Sequence, residues 1–205
     1  KLSEKNRDSE HYRAGAILDG YEKIGCDAIN VGHYELAAGL PFLKKMDTEC
    51  DIPFISANLR DAGTGELLFD PYVIIERTGL KIGIIGVTAM KPDTMKAVSA
   101  DDYKTAGNRA IDQIKHDVDM IAVLVNIERG PQQSLPGTFA EADFIYTSGS
   151  THLTRPTNHQ KEGGPYLYSF GKQGKYLSVI TAVIKDSDEV IVDVSGYENK
   201  IKTIN

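Results

Sequence analysis

Long apolar runs constrain the fold of this chain more than any other feature of its sequence. "KIGIIGV" at 81–87 and "MIAVLV" at 120–125 carry apolar residues or glycine at almost every position. Strands of this kind are buried on both faces, as in parallel sheets that helices cover. Segments with helical periodicity separate the runs, and strands that alternate with helices predict parallel βαβ units. The sequence therefore predicts an α/β fold.

Helix signals occur at three places in the chain. Apolar residues at helical spacing predict an amphipathic helix that ends at Gly25. "LPFLKKM" predicts a short helix with Pro41 at its start, where a missing N–H has little effect. A third apolar face, from Ala106 to Ile114, predicts a helix that Asp101 or Asp102 caps.

Strand signals surround these helices. Two strands that start near Asp27 and Ile52 are predicted to be parallel neighbours, each preceded by a helix. A hairpin is predicted around Thr78-Gly79, and a second hairpin at 176–198 with its turn at "DSDE". Together these elements predict a helix-covered mixed sheet, with two layered sheets as a second arrangement.

Composition limits the classes of function. The 205 residues suit one domain, 1–205, and the net charge of −6 favours neither nucleic acid nor an anionic membrane as partner. No stretch approaches the ~20 apolar residues of a membrane span, so membrane insertion is not expected. The chain starts in polar sequence without an initiator Met, which predicts a processed product or a fragment.

Common nucleotide and hydrolase motifs are absent from the sequence. Gly83 and Gly86 do not continue into GxGxxG, and neither GxxxxGK[ST] nor GxSxG occurs. These two glycines therefore predict close packing around a strand. Ser148, Ser150 and His152 lie close together in "TSGSTH", but adjacent loop residues rarely give the geometry of a serine hydrolase.

Polar residues follow three of the predicted strands, in "VGHYE", "VLVNIERG" and "FIYTSGSTH". Open α/β sheets bind ligands at the carboxyl ends of their strands. His33 and His152 are thus placed at the expected functional edge, although a lone histidine there is more often structural. The other three histidines, His11, His116 and His159, are predicted to face solvent.

The order and spacing of these strand ends resemble the calcineurin-like metallophosphoesterases, specifically the catalytic domain of the 5′-nucleotidase branch. The strongest similarity lies in "DIPFISANLRDAGTGELLFDPYVIIERTGLKIGIIGVT", and "GPYLYSFGKQGKYLSVITAVI" resembles a late segment of the family. The resemblance covers nearly the whole chain. It implies a layered α/β/β/α sandwich with mixed sheets, from which the first strand of the family is missing.

The family's catalysis implies two metal ions held by D-x-H, G-D, G-N-H-E, a mid-chain S-H and a late G-H-x-H. The first two motifs are expected to precede Lys1, outside this sequence. By alignment to the other motifs, ligand or acid positions of the family fall on His33, Tyr34, Asn126, Gly149 and Thr151, and a one-residue shift would bring in His152. Glu35 and Glu128 are predicted to cap a helix or face solvent.

These replacements predict that no cofactor is bound and that the domain is catalytically degenerate. The expected role is a structural or interaction module of a larger extracytoplasmic protein, with other domains or subunits as partners. The alternative is an active metal-dependent phosphoesterase with an altered site, in which His33 and His152 hold a single divalent metal. A nucleotide-binding module without hydrolysis is a third hypothesis, although no basic phosphate nest is visible.

The two cysteines, Cys26 and Cys50, form neither a CxxC motif nor a disulfide scaffold. Both are predicted just before neighbouring parallel strands. Such strands lie about 4.8 Å apart, within reach of a disulfide. A bridge and two buried free thiols both remain open at this point.

Overall fold

The computed structural model of this protein describes residues 6–155, 160, 163–171, 175–183, 191–192 and 194. Its helices are α1 (Arg7–Ile24), α2 (His33–Ala37), α3 (Leu40–Glu49), α4 (Tyr103–Ile114) and α5 (Leu135–Thr138). Its strands are β1 (Ile29–Asn30), β2 (Phe54–Ile55), β3 (Leu59–Asp61), β4 (Tyr72–Arg77), β5 (Leu80–Thr88), β6 (Val98–Ala100), β7 (Met120–Asn126), β8 (Phe144–Ser148) and β9 (Tyr166–Ser169).

The main sheet has the strand order β4-β5-β7-β8-β9. Strands β5, β7, β8 and β9 are parallel, while β4 and β5 form an antiparallel pair. Thr78 and Gly79 join this pair with φ angles of 52° and 83°. Positive φ at both turn residues matches the twist of a tight hairpin, and it explains the glycine. The predicted hairpin is confirmed.

A second, smaller sheet is formed by β1 and β2, which are parallel with Ile29 opposite Phe54 and Asn30 opposite Ile55. Helix α1 precedes β1 and α3 precedes β2. The prediction that these strands are parallel neighbours is confirmed. The antiparallel pair β3–β6 forms a further two-stranded sheet.

The layers are visible in the side chains that form the core. One face of the main sheet packs on α4, where Ile111 shares a core with Val123 and Ile145. On the opposite face of β5, Gly86 lies against β1 and β2. The far side of β1–β2 packs on the helices through a second core, which includes Leu36 and Phe54. This order confirms the predicted α/β/β/α sandwich with mixed sheets.

The contact between the two sheets depends on the missing side chain of Gly86. A Cβ at this position would lie 2.7 Å from Asn30 Oδ1 and 2.8 Å from the Ile55 carbonyl oxygen. We expect Gly86→Ala to lower the free energy of unfolding by about 2 kcal/mol, because β1–β2 must shift away from β5. Urea unfolding measures this change. Gly20→Ala is the matched control, since no heavy atom lies within 4 Å of a Cβ at that half-buried helical position. Equal stability of both variants would contradict the sheet contact.

The helix predictions are confirmed with some changes. Helix α1 ends at Gly25, which is left-handed, and Asp102 rather than Asp101 caps α4 by accepting from the Thr105 N–H at 2.9 Å. No α1 residue is fully buried, although Leu18 packs against the second core, which includes Leu36 and Phe54. Ile24 is 77% exposed, so its part of the predicted apolar face has no partner in the described part of the chain.

Some predictions differ from the structure. The first arm of the predicted second hairpin lies within residues 175–183, and these residues are not in a strand. Extended residues form a strand only where a neighbouring backbone bonds to them. The remainder of that hairpin lies almost entirely outside the described residues. His11 does not face solvent but stacks on Phe42 with ring centroids 3.8 Å apart. His116 is exposed as predicted, and His159 lies outside the described residues.

The prediction of a single domain over 1–205 is not tested by these features and stays a prediction. Among the residues that the structure describes, no helix combines the length and apolar character needed to cross a membrane.

Candidate functional site

The three polar strand ends of the sequence meet at one edge of the molecule. Asn126 ends β7 and lies between Thr88 of β5 and Ser148 of β8 in the strand register. His33, the first residue of α2, approaches from the smaller sheet and is bonded to Asn126. The convergence of these segments follows from the parallel arrangement, because parallel strands end at the same edge of a sheet.

Asn126 links these segments through its side-chain amide. Its Oδ1 accepts a hydrogen bond from the His33 backbone N–H at 3.1 Å, and its Nδ2 donates to Ser148 Oγ at 3.0 Å. The side chain is only 3% exposed. Both polar ends of the amide are therefore used to hold the start of α2 against the ends of β7 and β8.

Gly32 allows this close approach. A Cβ on Gly32 would lie 2.7 Å from Asn126 Cγ, closer than real contacts allow. The Gly32 N–H donates to Glu35 Oε2 at 3.0 Å, so the Glu35 carboxylate caps the first turn of α2. The prediction that Glu35 caps a helix is confirmed, and Glu128 is exposed as predicted.

The residues at the family's acid and ligand positions have different surroundings. Tyr34 is 72% exposed, and its ring meets the half-buried His33 ring edge-on with centroids 5.3 Å apart. The Tyr34 hydroxyl thus lies on a solvent-facing side chain at the mouth of the edge. A phenol is a weaker general acid at neutral pH than a protonated imidazole.

The loop after β8 is held by hydrogen bonds of the Ser150 side chain and the His152 backbone. Ser150 Oγ accepts from Gln132 Nε2 at 2.9 Å and from the His152 backbone N–H at 3.2 Å. The His152 carbonyl accepts from the Gly171 N–H and from Ser169 Oγ, both at 2.8 Å. The structure thus uses Ser150 and the backbone of His152 to shape the loop, which is not the contact of a Ser–His nucleophile pair.

Gly149 and Thr151 complete the predicted site. Gly149 has a φ of 92°, and a Cβ there would lie 3.1 Å from Asn126 Nδ2. Thr151 is exposed. Gly149 therefore brings the backbone close to Asn126 and supplies no side chain.

Two buried polar groups near this edge were not among the predicted site residues. Asn58 is fully buried and exchanges hydrogen bonds with the Thr88 backbone, with Nδ2 to O at 2.8 Å and N to Oδ1 at 2.9 Å. Thr88 also donates its hydroxyl to the Val31 carbonyl. Gln132 is 3% exposed. Asn58 lies three residues after β2 and directly before β3, and a polar residue at the end of an apolar segment was the available signal.

The donor set at this edge does not fit the dinuclear metal centre of the family. In the described part of the chain, no group of three or more His, Cys, Asp or Glu side chains is placed to hold a metal ion. Asn126 is neutral, and its oxygen already accepts from His33. Catalytic zinc sites take about three protein ligands, whereas His33 and His152 would supply two.

Comparison with known proteins shows sequence similarity to 5′-nucleotidases. No family model matches the sequence. A 5′-nucleotidase of Vibrio cholerae is 33% identical over 138 residues, which are 62% of this chain and 25% of that protein. Protein UshA of Escherichia coli is 36% identical over 77 residues, 38% of this chain and 14% of that protein. The matched part thus spans a quarter or less of these two curated relatives.

Solved structures show the same fold. The calcineurin-like phosphoesterase YfkN of Bacillus subtilis has a TM-score of 0.61 at 20% identity, over 76% of this chain and 57% of that chain. A 5′-nucleotidase precursor of Thermus thermophilus has a TM-score of 0.59 at 22% identity, over 69% of this chain and 29% of that chain. At these identities the likeness concerns the fold alone.

Proposed function

Because the chain has the fold of the calcineurin-like phosphoesterases and is related in sequence to the 5′-nucleotidases, we propose that it is a noncatalytic domain of this kind. Its role is that of a structural or interaction module in a larger extracytoplasmic protein. The relationship to the 5′-nucleotidase branch confirms the resemblance found in the sequence. The loss of catalysis and the structural role are the proposal.

The use of Asn126 as a structural link carries this proposal. Where the family needs a metal ligand, this amide bonds the His33 backbone at 3.1 Å and Ser148 Oγ at 3.0 Å. Two cations a few Å apart repel each other, and a dinuclear site offsets this with several anionic ligands and a bridging carboxylate. Glu35 caps α2 and Glu128 is exposed, so neither carboxylate is positioned to bridge two metals.

The second candidate function is a phosphoesterase with one divalent metal, held by His33 and His152. Both histidines are half-buried, and the segments that carry them adjoin the same strand edge. A single metal would supply Lewis-acid polarisation of a phosphoryl oxygen. The candidate requires at least one further ligand that these two residues do not provide.

Metal content and turnover distinguish the two functions. We expect the purified chain, incubated with Mn²⁺ or Zn²⁺ and then dialysed, to retain less than one equivalent of metal by elemental analysis. We also expect no measurable hydrolysis of 5′-AMP or bis(4-nitrophenyl) phosphate. Two retained equivalents, or turnover in the usual enzyme range of ~1–10³ s⁻¹, would contradict a noncatalytic role.

Histidine variants make this test specific. One equivalent of metal that disappears in His33→Ala and His152→Ala, but persists in His116→Ala, would support the altered-site enzyme. His116 is the matched control because it is an exposed histidine in the turn after α4. In the full-length protein, the noncatalytic role predicts that His33→Ala leaves any phosphoesterase activity unchanged.

The extracytoplasmic location rests on the relatives, among which the Thermus thermophilus protein is named a precursor. Fractionation of cells that express the full-length protein tests the location. We expect an antibody against this domain to detect the protein outside the cytoplasmic fraction. Detection in the cytoplasm alone would contradict this part of the proposal.

A further inference from the structure

The two cysteines occupy equivalent places before neighbouring strands. Cys26 follows the left-handed Gly25 that ends α1, and Cys50 is the residue that ends α3. Strands β1 and β2 start a few residues later and pair in parallel, with the Ile29 N–H bonded to the Pro53 carbonyl at 3.0 Å. Both cysteines therefore lie at the same end of the β1–β2 pair, opposite the edge that carries His33.

The last turn of α1 contacts the chain beside both cysteines. The Cys26 N–H donates to the Tyr21 carbonyl at 3.0 Å. The Glu22 carboxylate accepts from the Asp51 N–H at 2.8 Å and from the Cys50 thiol. The last turn of α1 thus bonds both the segment that leads into β1 and the segment that leads into β2.

The strand pairing brings the two cysteines to the same end of the β1–β2 sheet. Cys26 lies three residues before Ile29 and Cys50 lies four residues before its partner Phe54. Paired strands lie about 4.8 Å apart, and each cysteine is joined to its strand by only a few residues. Disulfides connect Cα atoms that are about 4.4–6.8 Å apart.

In the structure both thiols are free and half-buried. The Cys26 thiol donates to the Ala28 carbonyl at 3.5 Å, and a thiol is a weak donor, so the Cys26 side chain turns with little loss. Burial raises the pKa of both thiols, against opposing backbone hydrogen bonds. Their reactive thiolate fraction at neutral pH is correspondingly small.

We propose that Cys26 and Cys50 form a reversible intramolecular disulfide by exchange with a small-molecule disulfide such as glutathione disulfide. One cysteine thiolate attacks the reagent, forming a mixed disulfide and releasing one glutathione thiolate. The second cysteine thiolate attacks the mixed disulfide at the protein sulfur and releases the second glutathione. The two protein thiols are oxidised, and the reagent is reduced to two thiols.

The test uses the full chain, incubated with excess glutathione disulfide at pH 8 and then alkylated under denaturing conditions. We expect intact mass to show a monomer lighter by two hydrogen atoms, with no alkylation and no bound glutathione. Peptide mapping is expected to link the Cys26 and Cys50 peptides, and dithiothreitol to restore two thiols. The rate of exchange is expected to rise from pH 7 to pH 9, as the thiolate fraction grows.

Single-cysteine variants define the contrary results. In Cys26→Ser and Cys50→Ser the remaining thiol lacks its partner, so a mixed disulfide with one glutathione is expected to persist. We also expect the oxidised chain to melt about 5–10 °C above the reduced chain, because the bridge closes a loop in the unfolded state. Two thiols left unreacted, two retained glutathiones, or disulfide-linked dimers only would each overturn the proposal.

Discussion

Asn58→Ala is expected to lower the free energy of unfolding by about 4 kcal/mol, the largest effect of any single substitution considered for this chain. The Asn58 side chain is fully buried and donates from Nδ2 to the carbonyls of Thr88 at 2.8 Å and Asp101 at 3.0 Å. Its Oδ1 accepts from the Thr88 N–H at 2.9 Å. Truncation leaves these backbone groups without their partner, and it also opens a cavity beside Thr88 of β5.

The matched control is Asn108→Ala. Asn108 also donates two hydrogen bonds to backbone carbonyls, those of Lys104 and Thr138, both at 3.0 Å. Asn108 is half-buried on α4, so water replaces part of the hydrogen bonding that the substitution removes. Alanine also has a higher helix propensity than asparagine, which offsets part of the loss. We expect a loss of about 1 kcal/mol for this variant. Urea unfolding of both variants measures the difference, and an Asn58→Ala variant as stable as Asn108→Ala would show that the buried amide is not required.

The strands of the main sheet were predictable because buried strands have continuous apolar sequences. "KIGIIGV" and "MIAVLV" became β5 and β7, which pair in parallel from Ile82 opposite Met120 to Thr88 opposite Asn126. A strand that is apolar at nearly every position is stable only in a sheet that other layers cover on both faces. The turn at Thr78-Gly79 was equally local, since the glycine adopts the positive φ that a tight hairpin needs.

Features that depend on neighbours distant in sequence were less predictable. The apolar spacing in α1 correctly indicated a helix, but it could not show that Ile24 would remain 77% exposed. Residues Tyr176 to Val183 are rich in amino acids that favour strands. A strand also needs a neighbouring backbone to pair with, and composition does not specify that neighbour. His11 stacks on Phe42 because α1 meets α3, a contact between helices that no local pattern encodes.

At the candidate site, too, some features were predictable from local sequence and others depended on residues distant in sequence. Its convergence was predictable, because parallel strands place their carboxyl ends together. Asn126 and Ser148 end their strands, and His33 lies shortly after β1. The partners of these side chains were not predictable. Whether Asn126 faces open space or bonds the His33 backbone depends on two segments 93 residues apart in sequence. Gly32 permits that contact by leaving no Cβ in the way.

The second large effect is expected at Asn126. Asn126→Ala removes the acceptor of the His33 N–H and the donor to Ser148 Oγ, at a side chain that is 3% exposed. We expect the free energy of unfolding to fall by about 3 kcal/mol, because the His33 N–H is left unpaired and the ends of β7 and β8 lose their link to α2. Urea unfolding measures the loss. Glu128→Ala, two residues further along and exposed, is the control and is expected to change stability by less than about 0.5 kcal/mol.

Asn126→Asp separates a structural role from a metal-binding role. A carboxylate still accepts from the His33 N–H, and the Ser148 hydroxyl, whose oxygen lies 3.0 Å from Asn126 Nδ2, can turn to donate to it. If Asn126 acts only as a link, Asn126→Asp is expected to recover part of the stability lost in Asn126→Ala, and added Mn²⁺ or Zn²⁺ is expected to leave its melting temperature unchanged. A melting temperature that rises with metal in the wild-type chain and falls back in Asn126→Ala would instead identify this amide as a ligand. That result would overturn the noncatalytic role, because the link between His33 and Ser148 would then be secondary to metal binding.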